Sequence, residues 1–152
     1  MIDPLQDGVS HINIYSQGKT ELGKMLSNFT KCDILTKEGQ FSSVEGYWYW
    51  LGIEDCSEKE VLRSLSGYQA KRIGSELKKK YQTKKDEEFQ AKILRSIWEK
   101  VKKNSHMFRS ETAALPFEHY YNYGGKIVDV KDKYIWLING IDKIRKFVLS
   151  KI

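Results

Sequence analysis

The clearest periodicity in the chain runs from Phe89 to Val101. Phe89, Ile93, Leu94, Ile97, Trp98 and Val101 recur at i, i+4, i+5, i+8, i+9 and i+12, while Lys92, Arg95, Glu99 and Lys102 take the opposite side. This three-to-four spacing predicts an amphipathic helix over residues 86–103. Leu137, Ile141, Ile144 and Val148 repeat the pattern and predict a last helix over residues 132–150. Another helix is expected over 69–81. A short one should follow Ser57-Glu58-Lys59-Glu60, which has capping-box spacing ahead of Val61, Leu62 and Leu65, with Gly67 ending it. Ser42 or Ser43 can cap a helix from Val44 to Ile53. The run Tyr47-Trp48-Tyr49-Trp50 puts rings on every side of that helix, so it must be largely buried or must line a pocket.

Strand patterns are shorter. His11 to Tyr15 alternate and contain β-formers, and Cys32 to Leu35 offer a second strand; the rest of 16–40, with Gly18, Gly23 and Gly39, reads as loops. Ala114-Leu115-Pro116 stops any helix, and Tyr120 to Val130 around Gly124-Gly125 read as a hairpin. The expected class is α+β, mainly helical, with a small antiparallel sheet. Neither an internal repeat nor a low-complexity linker divides residues 1–152, so a single domain is expected.

Composition agrees with a folded chain. With 152 residues, 40% of them hydrophobic and only 2 Pro, disorder and fibrous repeats are excluded. A chain of this length buries about 68–70% of its unfolded surface, enough for a core without disulfides or metals. The longest apolar runs, Tyr47–Leu51 and Tyr134–Ile138, are five residues each, against the roughly 20 a membrane-crossing helix needs. No membrane partner is expected. The first seven residues carry Asp3 and Asp7, no basic cluster and no apolar stretch. Neither a secretory nor a transit signal is readable there, and the expected location is cytoplasmic. Cys32 and Cys56 lack metal or redox spacing and read as small buried hydrophobes.

Charge is uneven. Of 26 Lys and Arg, 13 fall between residues 71 and 109 against 5 acids, a local +8, and the other 113 residues sum to −2. Such a segment can attract nucleic acid or another phosphate-rich partner. Asp86-Glu87-Glu88 interrupts it and no aromatics interleave with its lysine cluster, which favours a solvated face.

Most motif-like features have plain readings. Gly18-Lys19-Thr20 follows a strand as in a phosphate loop, but the first glycine that motif needs is Asn13. His11, His106 and His119 lack paired-ligand spacing, so neither a metal nor another cofactor is expected. Two carboxylates stand out. Glu45 falls in the first turn of the aromatic helix, either as a surface acid favoured by the helix dipole or as a group facing a cleft. Glu118 follows Pro116-Phe117, where a solvated loop acid is the simpler reading.

Four segments then fall in a familiar order: Ile12-Asn13-Ile14-Tyr15-Ser16, Leu26-Ser27-Asn28-Phe29, Ser43-Val44-Glu45-Gly46-Tyr47 and Ala70-Lys71-Arg72-Ile73-Gly74. In order and approximate spacing they resemble the NADAR (NAD- and ADP-ribose-associated) domain, whose pattern runs I-N-F-Y-S, F-S-N-F, a helix S-E-H-Y-x-Q-A-x-K and A-x-x-x-G. The likeness extends through the amphipathic helix to Phe117-Glu118-His119. It implies a mostly helical pocket for ribose-phosphate or ADP-ribose compounds, in a family whose characterised members are N-glycosidases. It also implies Glu45 as the catalytic carboxylate, Asn28 as a substrate-orienting group, Phe29, Tyr47 and Trp48 as aromatic walls, and Glu118 among the binding residues. The family's His, Gln and attacking Lys are replaced by Gly46, Tyr49 and Gly52, and its Trp-Gly has no counterpart near Tyr121-Asn122-Tyr123-Gly124. A glycine cannot supply a covalent nucleophile. Two readings follow: hydrolysis by direct water attack, or an inactive module that binds a nucleotide, nucleic acid or protein.

Overall fold

The structure, a computed structural model, describes all residues from Met1 to Ile152. The fold is α+β. The chain divides into two compact units: Met1–Ser27 together with Val101–Ile152, and Asn28–Lys100.

The first unit holds β1 (Ile12–Asn13) and α1 (Glu21–Leu26) from its N-terminal part. The sequence reads residues 16–40 as loops, but Thr20 starts α1 by accepting a hydrogen bond from the Gly23 N–H. Gly23 weakens the helical pattern, yet it is needed: a Cβ there would lie 2.3 Å from the Asn13 carbonyl oxygen. The C-terminal part adds 3₁₀ turns Ser105–Arg109 and Glu111–Ala114 and three strands, β4 (Phe117–Glu118), β5 (Tyr120–Tyr123) and β6 (Lys126–Asp129). The helix α5 (Ile135–Leu149) follows them. β5 and β6 form the expected antiparallel hairpin, turning at Gly124 and Gly125 with φ of +59° and +98°. β1 and β4 pair in parallel, Ile12 with Phe117 and Asn13 with Glu118. The small antiparallel sheet is thus two separate antiparallel ladders and one parallel one. Ile12, Leu26, Phe108, Phe117, Tyr120, Leu137 and Ile141 are buried in this unit.

The second unit begins with a hairpin, β2 (Ile34–Thr36) on β3 (Gly39–Phe41), of which only the first strand is visible in the sequence. Then come α2 (Val44–Leu51), a 3₁₀ turn Glu58–Ser64, α3 (Gly67–Lys80) and α4 (Phe89–Lys103), which continues past the end of the unit. Ser57 makes no side-chain cap and the segment after it is 3₁₀ rather than α-helical. Gly67 opens α3 instead of closing the preceding turn. Its φ of +57° is a backbone state that side-chain-bearing residues rarely adopt, and here it redirects the chain into α3.

α2 packs closely on both its neighbours because glycines remove the obstacle. A Cβ on Gly46 would lie 2.4 Å from the Leu62 carbonyl oxygen, and one on Gly74 of α3 would lie 2.2 Å from the Tyr49 ring. The C-terminus of α2 is closed by Lys59, whose buried ammonium donates to the carbonyls of Trp50 and Ile53 and to Asp55, and lies 3.7 Å from the Trp50 ring centre. Ile53, Leu62 and Leu77 form a core cluster under Tyr49, Trp50 and Ile73.

Candidate functional site

Within the second unit, the N-termini of α2 and α3 meet. The Ser43 side chain accepts from the Gly46 N–H at 3.0 Å, capping α2, and donates to the Leu65 carbonyl at 2.8 Å, just ahead of α3. The segment after Ser27 ties both ends from a second side. Asn28 offers its carbonyl to the Glu45 N–H at 2.9 Å, and Phe29 offers its own to the Gly67 N–H at 3.0 Å. Consecutive carbonyls of one short segment thus satisfy first-turn donors of two helices.

This arrangement leaves two side-chain groups without partners. The Asn28 Oδ1 is buried and receives no hydrogen bond. Glu45 makes no side-chain hydrogen bond or ion pair, and burial pushes its carboxyl up to about 7, outweighing the opposite pull of Lys71 of α3. A carboxyl titrating there can donate or accept a proton at neutral pH. The orphaned acceptor on Asn28, whose backbone is bonded to that of Glu45, needs a donor such as a hydroxyl. Trp48, three residues after Glu45, shares its side of α2 and sets its ring edge-on to Phe89 at 4.8 Å.

Of the other expected site residues, Tyr47 faces a different side of α2 and Glu118 belongs to the other unit. Tyr47 is 1% exposed, packed on Phe41 at 4.8 Å between ring centres, and its hydroxyl donates to Glu38. Two residues along a helix is about 200°, which turns Tyr47 away from Glu45 and makes it a core residue. Its side of the unit has its own small cavity of about 90 Å³, lined by Thr36, Tyr47, Lys92, Arg95 and Ser96 among others. There Lys92 bridges Glu38 at 2.8 Å and Asp86 at 2.7 Å. Glu118 belongs to the first unit, where it lies 3.4 Å from the Lys131 ammonium and lines a broad depression with Met1, Ile2, Ile127 and Asp129.

The departures from the resembled family acquire physical content. No histidine fits at Gly46, because even a Cβ meets the Leu62 carbonyl, and Tyr49 packs on Gly74. Gly52 is different: a Cβ there would meet nothing closer than 3.7 Å. The Gly18-Lys19-Thr20 loop holds an internal anion, since Asp7 accepts from the Lys19 N–H at 2.8 Å and the Asn13 N–H at 3.0 Å. No group of three His, Cys, Asp or Glu side chains could hold a metal. The basic 71–109 stretch is not one uniform solvated face. Lys80 pairs with Glu58 at 2.7 Å and Arg72 with Glu76 at 3.6 Å. Lys100 is fully buried, which pushes its ammonium down to about 8. No helix is long and apolar enough to cross a membrane. No family model, curated protein or solved structure matches this chain.

Proposed function

We propose that the chain binds a ribose-phosphate or ADP-ribose compound at the junction of α2 and α3 and hydrolyses an N-glycosidic bond there. The observation that carries this reading is the pair of unpartnered groups, the buried Asn28 Oδ1 and the desolvated Glu45 carboxyl, on two residues joined by a backbone hydrogen bond. A sugar hydroxyl supplies the donor Asn28 lacks. Protonated Glu45 gives its proton to the leaving nitrogen as the C–N bond opens and its electron pair departs. Water then adds to the anomeric carbon and returns a proton to the Glu45 carboxylate. Trp48 and Phe29 supply apolar surface beside the ribose or base.

A second reading, binding without turnover, is favoured by Gly52, which ends α2 with no side chain where the resembled family carries its attacking lysine. Thermal unfolding with millimolar ribose 5-phosphate or ADP-ribose tests both. Binding at 100 times Kd adds about 2.7 kcal/mol and raises Tm, and Asn28→Ala should abolish the rise. Glu45→Gln should keep the ligand and lose release of the nitrogen leaving group. Absence of any shift overturns both readings, and a shift without turnover in the unsubstituted protein leaves the binding module.

A further inference from the structure

The β5–β6 hairpin of the first unit carries an unusual surface. Tyr120 points to the core, 1% exposed, with its hydroxyl 2.7 Å from His11 Nε2. Side chains alternate along a strand, so the opposite face should be polar if it only met water. Instead it carries His119, Tyr121 and Tyr123 in a row. Ring centres are 5.7 Å apart from His119 to Tyr121 and 5.9 Å from Tyr121 to Tyr123. Tyr15 flanks the row 5.6 Å from Tyr121, and Tyr134 flanks it 6.0 Å from His119. Exposure rises toward the tip, where Tyr123 is 56% exposed and the two glycines beyond it have no neighbour within 4 Å of where a Cβ would stand.

The charge on this face is positive and uncommitted. Lys126 stands opposite Tyr123 in the ladder register, on the same face, and is exposed without an ion pair. Lys133 lies 5.4 Å from the Tyr134 ring centre and also has no acidic partner. Of the nearby acids, Glu118 is taken by Lys131, and Asp129, in register with Tyr120 on the other face, acts on His119 at the base of the row rather than on the tip. Aromatic rings beside unpaired lysines are the two components that hold single-stranded nucleic acid, ring faces for bases and cations for phosphates. In the 71–109 stretch Lys80 also lies 5.5 Å from a ring, that of Tyr81, but both groups are committed to Glu58.

We propose that the face formed by Tyr15, Tyr121, Tyr123, Lys126 and Lys133 binds single-stranded nucleic acid, a base stacking on Tyr123 at the tip and backbone phosphates meeting the two lysines. All five residues belong to the first unit, whereas Glu45 and Asn28 belong to the second.

The test is fluorescence anisotropy of labelled oligo(dT) and oligo(rU), each about 12 nucleotides, with the full chain at about 50 and 200 mM salt. Affinity should fall with salt. Tyr123→Ala should weaken it about tenfold, and Tyr123→Phe should retain it. Lys126→Ala with Lys133→Ala should reduce the log–log salt slope by about 1.4, at about 0.7 per phosphate contact on a single strand. Unequal affinity for the DNA and RNA strands assigns the sugar preference. Four results overturn the proposal. These are no binding of either strand, equal affinity in Tyr123→Ala, loss only when Lys78, Lys79 and Lys80 are replaced by Ala, and salt-independent binding matched by a neutral oligosaccharide. Tyr123 is at an exposed tip, and a far-ultraviolet circular dichroism melt confirms that each variant folds.

Discussion

Replacing Glu45 by Gln tests the site before any ligand is known. In the folded chain burial lifts the Glu45 carboxyl to about 7 from an ordinary value of 4.5. The sign follows from proton binding. Between these two values the native state holds a proton that the unfolded state has released, so Glu45 contributes stability below about pH 4.5 and loses it as pH rises through about 7. At 1.36 kcal/mol per unit the full effect is about 3 kcal/mol, most of it lost between pH 5 and pH 8. Glu45 is partly solvent-accessible, which makes these figures ceilings. Glutamine keeps the volume and cannot ionise. Urea unfolding at both pH values should therefore show the variant gaining on the unsubstituted chain by about 2 kcal/mol as pH goes from 5 to 8, several degrees in Tm. If the two chains keep the same difference at both pH values, Glu45 is an ordinary surface carboxylate and the proposed acid–base chemistry has no basis.

Three further substitutions probe how α2 is held in place. Gly46→Ala should destabilise by about 2–3 kcal/mol, since its methyl group would sit 2.4 Å from the Leu62 carbonyl, whereas Gly52→Ala, with nothing nearer than 3.7 Å, should change the urea midpoint little. Lys59→Met should cost about 2–3 kcal/mol in the same assay, because the carbonyls of Trp50 and Ile53 lose a buried donor at the end of α2.

The helices α4 and α5 were legible because their apolar residues recur at the helical period, and the β5–β6 turn was legible because two adjacent glycines allow positive φ. Elements that depend on a neighbour were not. α1 contains a glycine that disfavours helix locally and is there because the Asn13 carbonyl occupies the space of its side chain. β1 and β4 are two residues each and pair across 105 positions, so no local window contains both. At Gly67 the reading was reversed: glycine is frequent after a helix and equally suited to a sharp entry, and only the hydrogen bond from its N–H to Phe29 decides between them.

The site divides along the same line. Glu45 and Asn28 could be singled out by residue type, and Glu45 by its place in a capped first turn. Tyr47 carries the same aromatic character as Trp48, but which ring faces the core depends on where β3 and α4 lie, and that put Tyr47 on Phe41. The aromatic row on the β5–β6 hairpin was present as Tyr121-Asn122-Tyr123, yet its meaning depends on Tyr120 being the residue that turns inward. Composition, period and turn chemistry act over a few residues, so the sequence by itself determined the class, most of the helices and the acid worth testing. Burial, the loss of hydration that raises Glu45, and the pairing that leaves Asn28 Oδ1 without a donor depend on residues far apart in the chain, and only the tertiary structure could decide them.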